Sequence, residues 1–213
     1  PPPDSPRRSA DMEEQNAQLL EEMERLKAEN AALAAPSARK SDDFDEAGAA
    51  LMAEMNTPVL LMGNGTRYRN SAYPLPFRQD SSFLYYTGCD QPDAALLMVD
   101  GQSTLFLTPP AADDGLWHGH SESIADTASA LGFAHVRPMS ELSAACAPHH
   151  QLASIAVPDR GINATLSSLT GQPHVFLQTP GDTRLIDTII AQRRILSSEE
   201  IAEMRQGQGN PSA

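Results

Sequence analysis

The first thirty-five residues carry apolar side chains at a spacing of seven, and the rest of the chain switches to shorter periods. Met12, Leu19, Leu26 and Leu33 recur at that interval and take the d positions of a heptad, with Asn16, Met23 and Asn30 at a. The pattern predicts a heptad-bearing helix in the segment 10–36, running from Asp11 to Ala35, ended by Pro36 and started by a capping box of Asp11 with Glu14. Leucine at d favours paired strands, an asparagine at a sets register at a cost in stability, and Glu22 (g) can meet Lys27 (e) across a parallel dimer. Two readings stay open: a single solvated amphipathic helix, or a short dimer or higher bundle. No run of basic residues precedes the heptads, which argues strongly against a DNA-binding zipper.

Beyond a polar linker, Phe44, Ala47, Leu51 and Met55 mark the apolar stripe of a second helix over 42–56, closed by Pro58. Then the period shortens. PVLLMG (Pro58 to Gly63) predicts a buried strand closed by a turn at Gly63-Asn64-Gly65, and Phe83 to Tyr86 predicts another strand. Ala94 to Val99 and Thr104 to Leu107 flank Asp100-Gly101, a dipeptide suited to a tight hairpin. Further on, helices at Ile124–Leu131, Glu141–Ala147 and Thr165–Leu169 alternate with strands at His135-Val136, Ile155–Val157 and Val175–Leu177. Such alternation implies an α/β fold, a mixed sheet flanked by helices whose later strands run mainly parallel. The organisation is thus a disordered Pro/Ser/Arg-rich 1–9, the long N-terminal helix of 10–36, an α/β domain over 42–180, and a linker helix within 181–213.

Composition narrows the partners. A net charge of −13 over 213 residues argues against nucleic acid and anionic membranes, which both select basic surfaces. No apolar run approaches the ~20 residues of a bilayer span. The opening PPPDSPRR lacks the apolar stretch of a signal peptide, and it does not begin with Met. Cys89 and Cys146 show no CxxC or metal spacing, and they read as two reduced thiols in a cytoplasmic protein.

The most specific motif is Phe77 to Gly88, FRQDSSFLYYTG, preceded by Tyr73-Pro74 and followed by Pro92-Asp93-Ala94, Trp117-His118-Gly119, Gly132 and Ser140-Glu141-Leu142. In this order and spacing the motifs resemble the N-terminal domain of the aminopeptidase P / creatinase / prolidase family. The likeness runs from about Phe44 to Arg205. Its last part, DTIIAQRRILSSEEIAEMR (Asp187 to Arg205), resembles the family's link into a catalytic "pita-bread" domain. The resemblance implies Xaa-Pro aminopeptidases, in which that second domain holds two divalent metals, typically manganese, on two Asp, one His and two Glu. None of these five ligands has a counterpart here. The chain is therefore expected to bind no cofactor and to be inactive alone, either as a fragment or as a protein whose catalytic half is lost. For Trp117, the resemblance implies an arm toward a neighbouring subunit's substrate pocket; burial under its own loop is the other reading. A homo-oligomer that contacts proline-containing peptides, and a catalytic domain if the chain is a fragment, are the partners this implies.

The remaining candidates are weaker. Arg78 and Asp80 are expected to pair with each other or to close a loop, a structural role preferred over binding a substrate carboxylate. His118 and His120 form a His-x-His without a carboxylate or Cys at ligand spacing, His149-His150 follows Pro148 in a surface loop, and no metal site results. Ser81 and Ser82 carry no nucleophile-elbow signature, and Gly63-Asn64-Gly65 is no dinucleotide fingerprint. Three functions remain: an accessory domain of a Xaa-Pro aminopeptidase, a stand-alone dimeric peptide- or protein-binding scaffold, and, well behind, an enzyme in its own right.

Overall fold

The computed structural model describes Arg25 and residues 41–69, 75–110 and 123–208. The heptad segment other than Arg25, Tyr73-Pro74, and Trp117 with His118 and His120 lie outside the described residues. The chain divides between Ser37 and Ala38, and the fold below is that of the second unit.

Its five strands are β1 (Val59–Met62), β2 (Ala95–Val99), β3 (Gln102–Leu107), β4 (Val136–Pro138) and β5 (Ala153–Ser154), in the spatial order β4-β3-β2-β1-β5. The sheet is mixed, as expected. β2 runs antiparallel to both its neighbours, β1 and β3, whereas β4 joins β3 and β5 joins β1 in parallel. The helices are α1 (Ser41–Met55), α2 (Ser81–Thr87), α3 (Ile124–Leu131), α4 (Leu142–Cys146), α5 (Arg160–Thr170), α6 (Thr183–Arg193) and α7 (Ser198–Gln208).

Both faces of the sheet are covered, which explains why β1 and β2 read as unbroken apolar runs. Alternate residues serve opposite sides. Val59, Leu61, Leu96, Met98, Leu105 and Leu107 pack against α1, α2, α3 and α6 through Leu51, Phe83, Tyr86, Ala128 and Leu185. Leu60, Met62, Leu97 and Phe106 face α4 and α5 through Leu142, Cys146 and Leu166. Cys89 and Cys146 thus lie in different layers; both are free, and burial pushes each thiol up to about 11. At that value they are inert, structural cysteines at neutral pH.

The Asp100-Gly101 hairpin forms as predicted, with both residues at positive φ (50° and 82°), the geometry of a type I′ turn. Three expectations need correction. Phe83–Tyr86 is not a strand; it lies within α2. Asp80 caps that helix by accepting from the backbone N–H of Ser82 (2.9 Å) and Phe83 (3.0 Å), and Gly88 ends it at φ 62°. The aromatics at 83 and 86 fall on the buried side at helical spacing, while Leu84 is exposed. Val175–Leu177 is likewise no strand. It forms a tight reversal bridged from Val175 to Thr179, with Leu177 left-handed at φ 67° and its side chain exposed. The third correction concerns Ile155–Val157: regular pairing stops at Ser154, and the Asn163 side chain satisfies both backbone groups of Val157 at 2.9 and 2.7 Å.

One buried histidine makes the fold sensitive to acid. His174 Nε2 lies 3.0 Å from Thr170 Oγ1, whose own proton goes to the Leu166 carbonyl at 2.9 Å, so the ring donates from Nε2. Its Nδ1 is buried and has no partner among the described residues. Burial therefore holds this histidine below its ordinary value of 6.5. The native state resists the proton that the unfolded chain accepts, so the His174 contribution is complete above pH ~6.5 and is lost progressively below it. Urea midpoints at about pH 7.5 and about pH 5.5 should fall further for the wild type than for His174→Gln.

Candidate functional site

A large cleft among the described residues sits where parallel neighbours β1 and β5 end, the side of an α/β sheet where ligand crevices form. Its volume is about 960 Å³. The segment after β1 supplies Asn64, Gly65 and Arg67; the approach to α2 supplies Leu75 to Ser82. Ile155, Ala156 and Pro158 follow β5, and Phe176, Leu177, Pro180 and Ile186 complete the wall.

Gln79 assembles this site. Its Oε1 accepts from the backbone N–H of Asn64 (2.7 Å) and of Asp80 (2.9 Å), while its Nε2 donates to the Gln91 carbonyl (2.8 Å). One side chain thereby joins the exit of β1, the start of α2 and the loop before β2. Asn64 adds a return bond, Nδ2 to the Arg78 carbonyl at 3.0 Å. The stretch expected to be a turn is instead extended: none of Gly63, Asn64 and Gly65 has a positive φ. Gly63 is needed for close approach, because a Cβ there would lie 2.8 Å from Gln79 Oε1 and 3.2 Å from the Ala94 carbonyl oxygen.

Arg78 and Asp80 do not pair. Asp80 is occupied by its helix cap, and the exposed Arg78 guanidinium has no hydrogen bond or ion pair to a described residue. Ser81 and Ser82 face Arg193, whose Nη1 lies 3.3 and 3.4 Å from their hydroxyls, and no histidine lines the cleft to activate them. Among the described residues there is no group of three or more His, Cys, Asp or Glu able to hold a metal ion, and no helix long and apolar enough to cross a membrane. The chemistry on offer is recognition: an apolar surface, two guanidiniums and backbone edges. Arg67 and the orphaned Oδ1 of the nine-tenths-buried Asn64 went unnoticed in sequence. Only their positions around a strand end give them meaning.

Behind the cleft a carboxylate pair stores repulsion. Asp93 sits at φ 53°, and burial first, then the charge of Asp159, holds its carboxyl above 3.8. Native Asp93 keeps its proton more tightly than the unfolded chain does. Stability is therefore lost as pH climbs through the window above 3.8. Asn tolerates the left-handed backbone and can still accept from Thr66. Asp93→Asn should therefore raise stability at neutral pH, by a small amount because solvent screens the pair. The gain should vanish in melts below the carboxylate range.

The model of the family described as "Aminopeptidase P, N-terminal domain" matches residues 44–154, just over half of the chain. The chain belongs to this family. A Xaa-Pro aminopeptidase of Haemophilus influenzae is 34% identical over 84 residues, covering 37% of this chain and 20% of that protein. A probable Xaa-Pro aminopeptidase of Aspergillus fumigatus is 29% identical over 140 residues, covering 62% and 28%. Among solved structures, Escherichia coli aminopeptidase P superposes with a TM-score of 0.63 at 19% identity over 80% of this chain and 42% of that one. Pseudomonas aeruginosa aminopeptidase PepP gives 0.63 at 20% identity, with 79% and 42% covered. These likenesses establish the fold. The chain spans about a fifth to just over a quarter of those curated relatives. The aminopeptidase P N-terminal domain thus accounts for the mixed five-stranded sheet and for α2 with its FRQDSS approach.

Proposed function

We propose that this chain serves as the non-catalytic N-terminal domain of a Xaa-Pro aminopeptidase-like metallopeptidase, supporting oligomer assembly and shaping the entrance for peptides with proline second. The observation that carries the reading is the family match across 44–154 together with a cleft whose lining holds no acid–base pair. Asp80, its one carboxylate, is already bound to two backbone N–H groups. The two divalent metals that the family resemblance implies would take their ligands from residues other than those described here, which hold no group of three or more His, Cys, Asp or Glu able to bind a metal ion. Trp117 is the substrate-contacting residue of this proposal, a flat apolar face offered across a subunit boundary at low entropy cost. A cytoplasmic location, consistent with two free cysteines, is part of the same reading.

Trp117 is the chain's only tryptophan, so intrinsic emission reports on it alone. Sedimentation should show an oligomer, and dilution through its dissociation should red-shift the emission. A Xaa-Pro peptide should perturb that emission in the assembled state and not in the monomer. A monomer at all concentrations with constant emission would sink the proposal. A chain beginning at Ser41 tests the heptads: an unchanged oligomeric state removes the coiled coil from the account.

A further inference from the structure

The main cleft does not end at its own walls. Ser82, Ile155 and Ile186 are shared with a second hollow of about 400 Å³, lined further by Ile189, Ile190, Arg193 and Arg194. The result is one groove running from the β1 exit along α6.

Its charge is opposite to that of the molecule. The chain has 28 Asp and Glu against 15 Lys and Arg, yet the groove holds four arginines (67, 78, 193 and 194) and one carboxylate, Asp80. Asp80 faces two backbone N–H groups at 2.9 and 3.0 Å. Arg193 is engaged, near the hydroxyls of Ser81 and Ser82 and 5.7 Å from the centre of the Tyr85 ring. The guanidiniums of Arg67, Arg78 and Arg194 have no hydrogen bond or ion pair to any described residue. Between the cations the surface is aliphatic and aromatic, with Leu75, Phe176, Leu177 and Ile190 between 43% and 83% exposed. At the floor, Asn64 is 9% exposed, and its buried Oδ1 has no hydrogen-bond partner among the described residues.

We infer that this groove docks an acidic, aliphatic-rich peptide segment of a partner in extended form, its carboxylates on Arg67, Arg78 and Arg194 and its apolar side chains on the floor between them. Charge complementarity selects the sign of the ligand. Apolar surface at both hollows selects a peptide over a polyanion without hydrophobic groups. This site is separate from the assembly role of Trp117, and binding by a monomeric chain leaves it standing.

Fluorescence anisotropy on the full chain tests the inference, with a labelled peptide of alternating glutamate and leucine about eight residues long. Saturable binding is expected, weakening as salt rises from about 50 mM to about 300 mM. Arg67 and Arg78 are exposed and lie outside helices and strands, so Arg67→Glu with Arg78→Glu should preserve the circular dichroism spectrum and melting temperature. The double variant should bind roughly tenfold more weakly. A lysine–leucine peptide and a glutamate–serine peptide should each fail to bind. The inference is overturned by absent saturation, by equal affinity for the lysine peptide, by indifference to the charge reversal, or by competition from tripolyphosphate at equal concentration.

Discussion

Gly181→Ala is expected to unfold the β5 edge of the domain, at a cost of about 3 kcal/mol or more. Gly181 lies at φ 124°, backbone that L side chains rarely adopt, and bridges to Ile155. A Cβ there would stand 2.1 Å from the Ser154 carbonyl oxygen and 2.9 Å from Ile155 Cα. Both neighbours are backbone, so no rotamer change relieves the overlap. The 180–182 segment would have to leave β5, giving up Ala156 N–H to the Pro180 carbonyl (2.6 Å) and Asp182 N–H to the Ser154 carbonyl (2.9 Å). Asp182 also caps α6 by accepting from Leu185 N–H at 2.9 Å, so the helix that walls the groove loosens with it. Gly101→Ala is the control. Its φ is 82° with nothing within 4 Å of the added methyl, and only the left-handed backbone cost of about 1 kcal/mol should appear. Chemical denaturation of both variants measures the difference, and equal losses would contradict a backbone clash at Gly181.

The second large effect is at Gln79. Gln79→Ala removes three hydrogen bonds at once and leaves the N–H groups of Asn64 and Asp80 and the Gln91 carbonyl without their partner. At about 1 kcal/mol for each net bond, the loss is about 3 kcal/mol. Gln79→Glu separates the contributions. It keeps both acceptor bonds but sets a carboxylate oxygen against the Gln91 carbonyl, so its loss should be smaller at low pH than at neutral pH. Because Gln79 joins three segments around the cleft, the alanine variant should also raise hydrogen exchange at Asn64 and Asp80 before global unfolding. Protection unchanged at both amides would contradict this role.

How much of this was legible in sequence depended on whether the signal was local. The Asp100-Gly101 hairpin was readable because one dipeptide sets both backbone angles. The apolar runs of β1 and β2 were readable because both faces are buried, although periodicity alone does not reveal the layers. α2 was misread although its determinants were present: Asp80 at the cap and Gly88 at the stop are helix punctuation, and the aromatics between them favoured a strand by propensity. Val175–Leu177 failed the other way, since three apolar residues in a row suggested a buried strand and Leu177 turned the chain instead. The groove itself was invisible. Its arginines come from positions 67, 78, 193 and 194, and only the parallel pairing of β1 with β5 and the packing of α6 bring them together. The family, by contrast, was readable from FRQDSSFLYYTG and its neighbours, because their spacing reflects one domain's whole order of elements.

The central claim is that these residues build an accessory domain and do no peptide chemistry themselves. Turnover of a Xaa-Pro peptide by the purified chain in the presence of manganese tests it most directly. The account predicts no release of the N-terminal residue at any metal concentration, with or without Trp117→Ala. Metal-dependent release that rises in proportion to the chain and is abolished by chelation would contradict it.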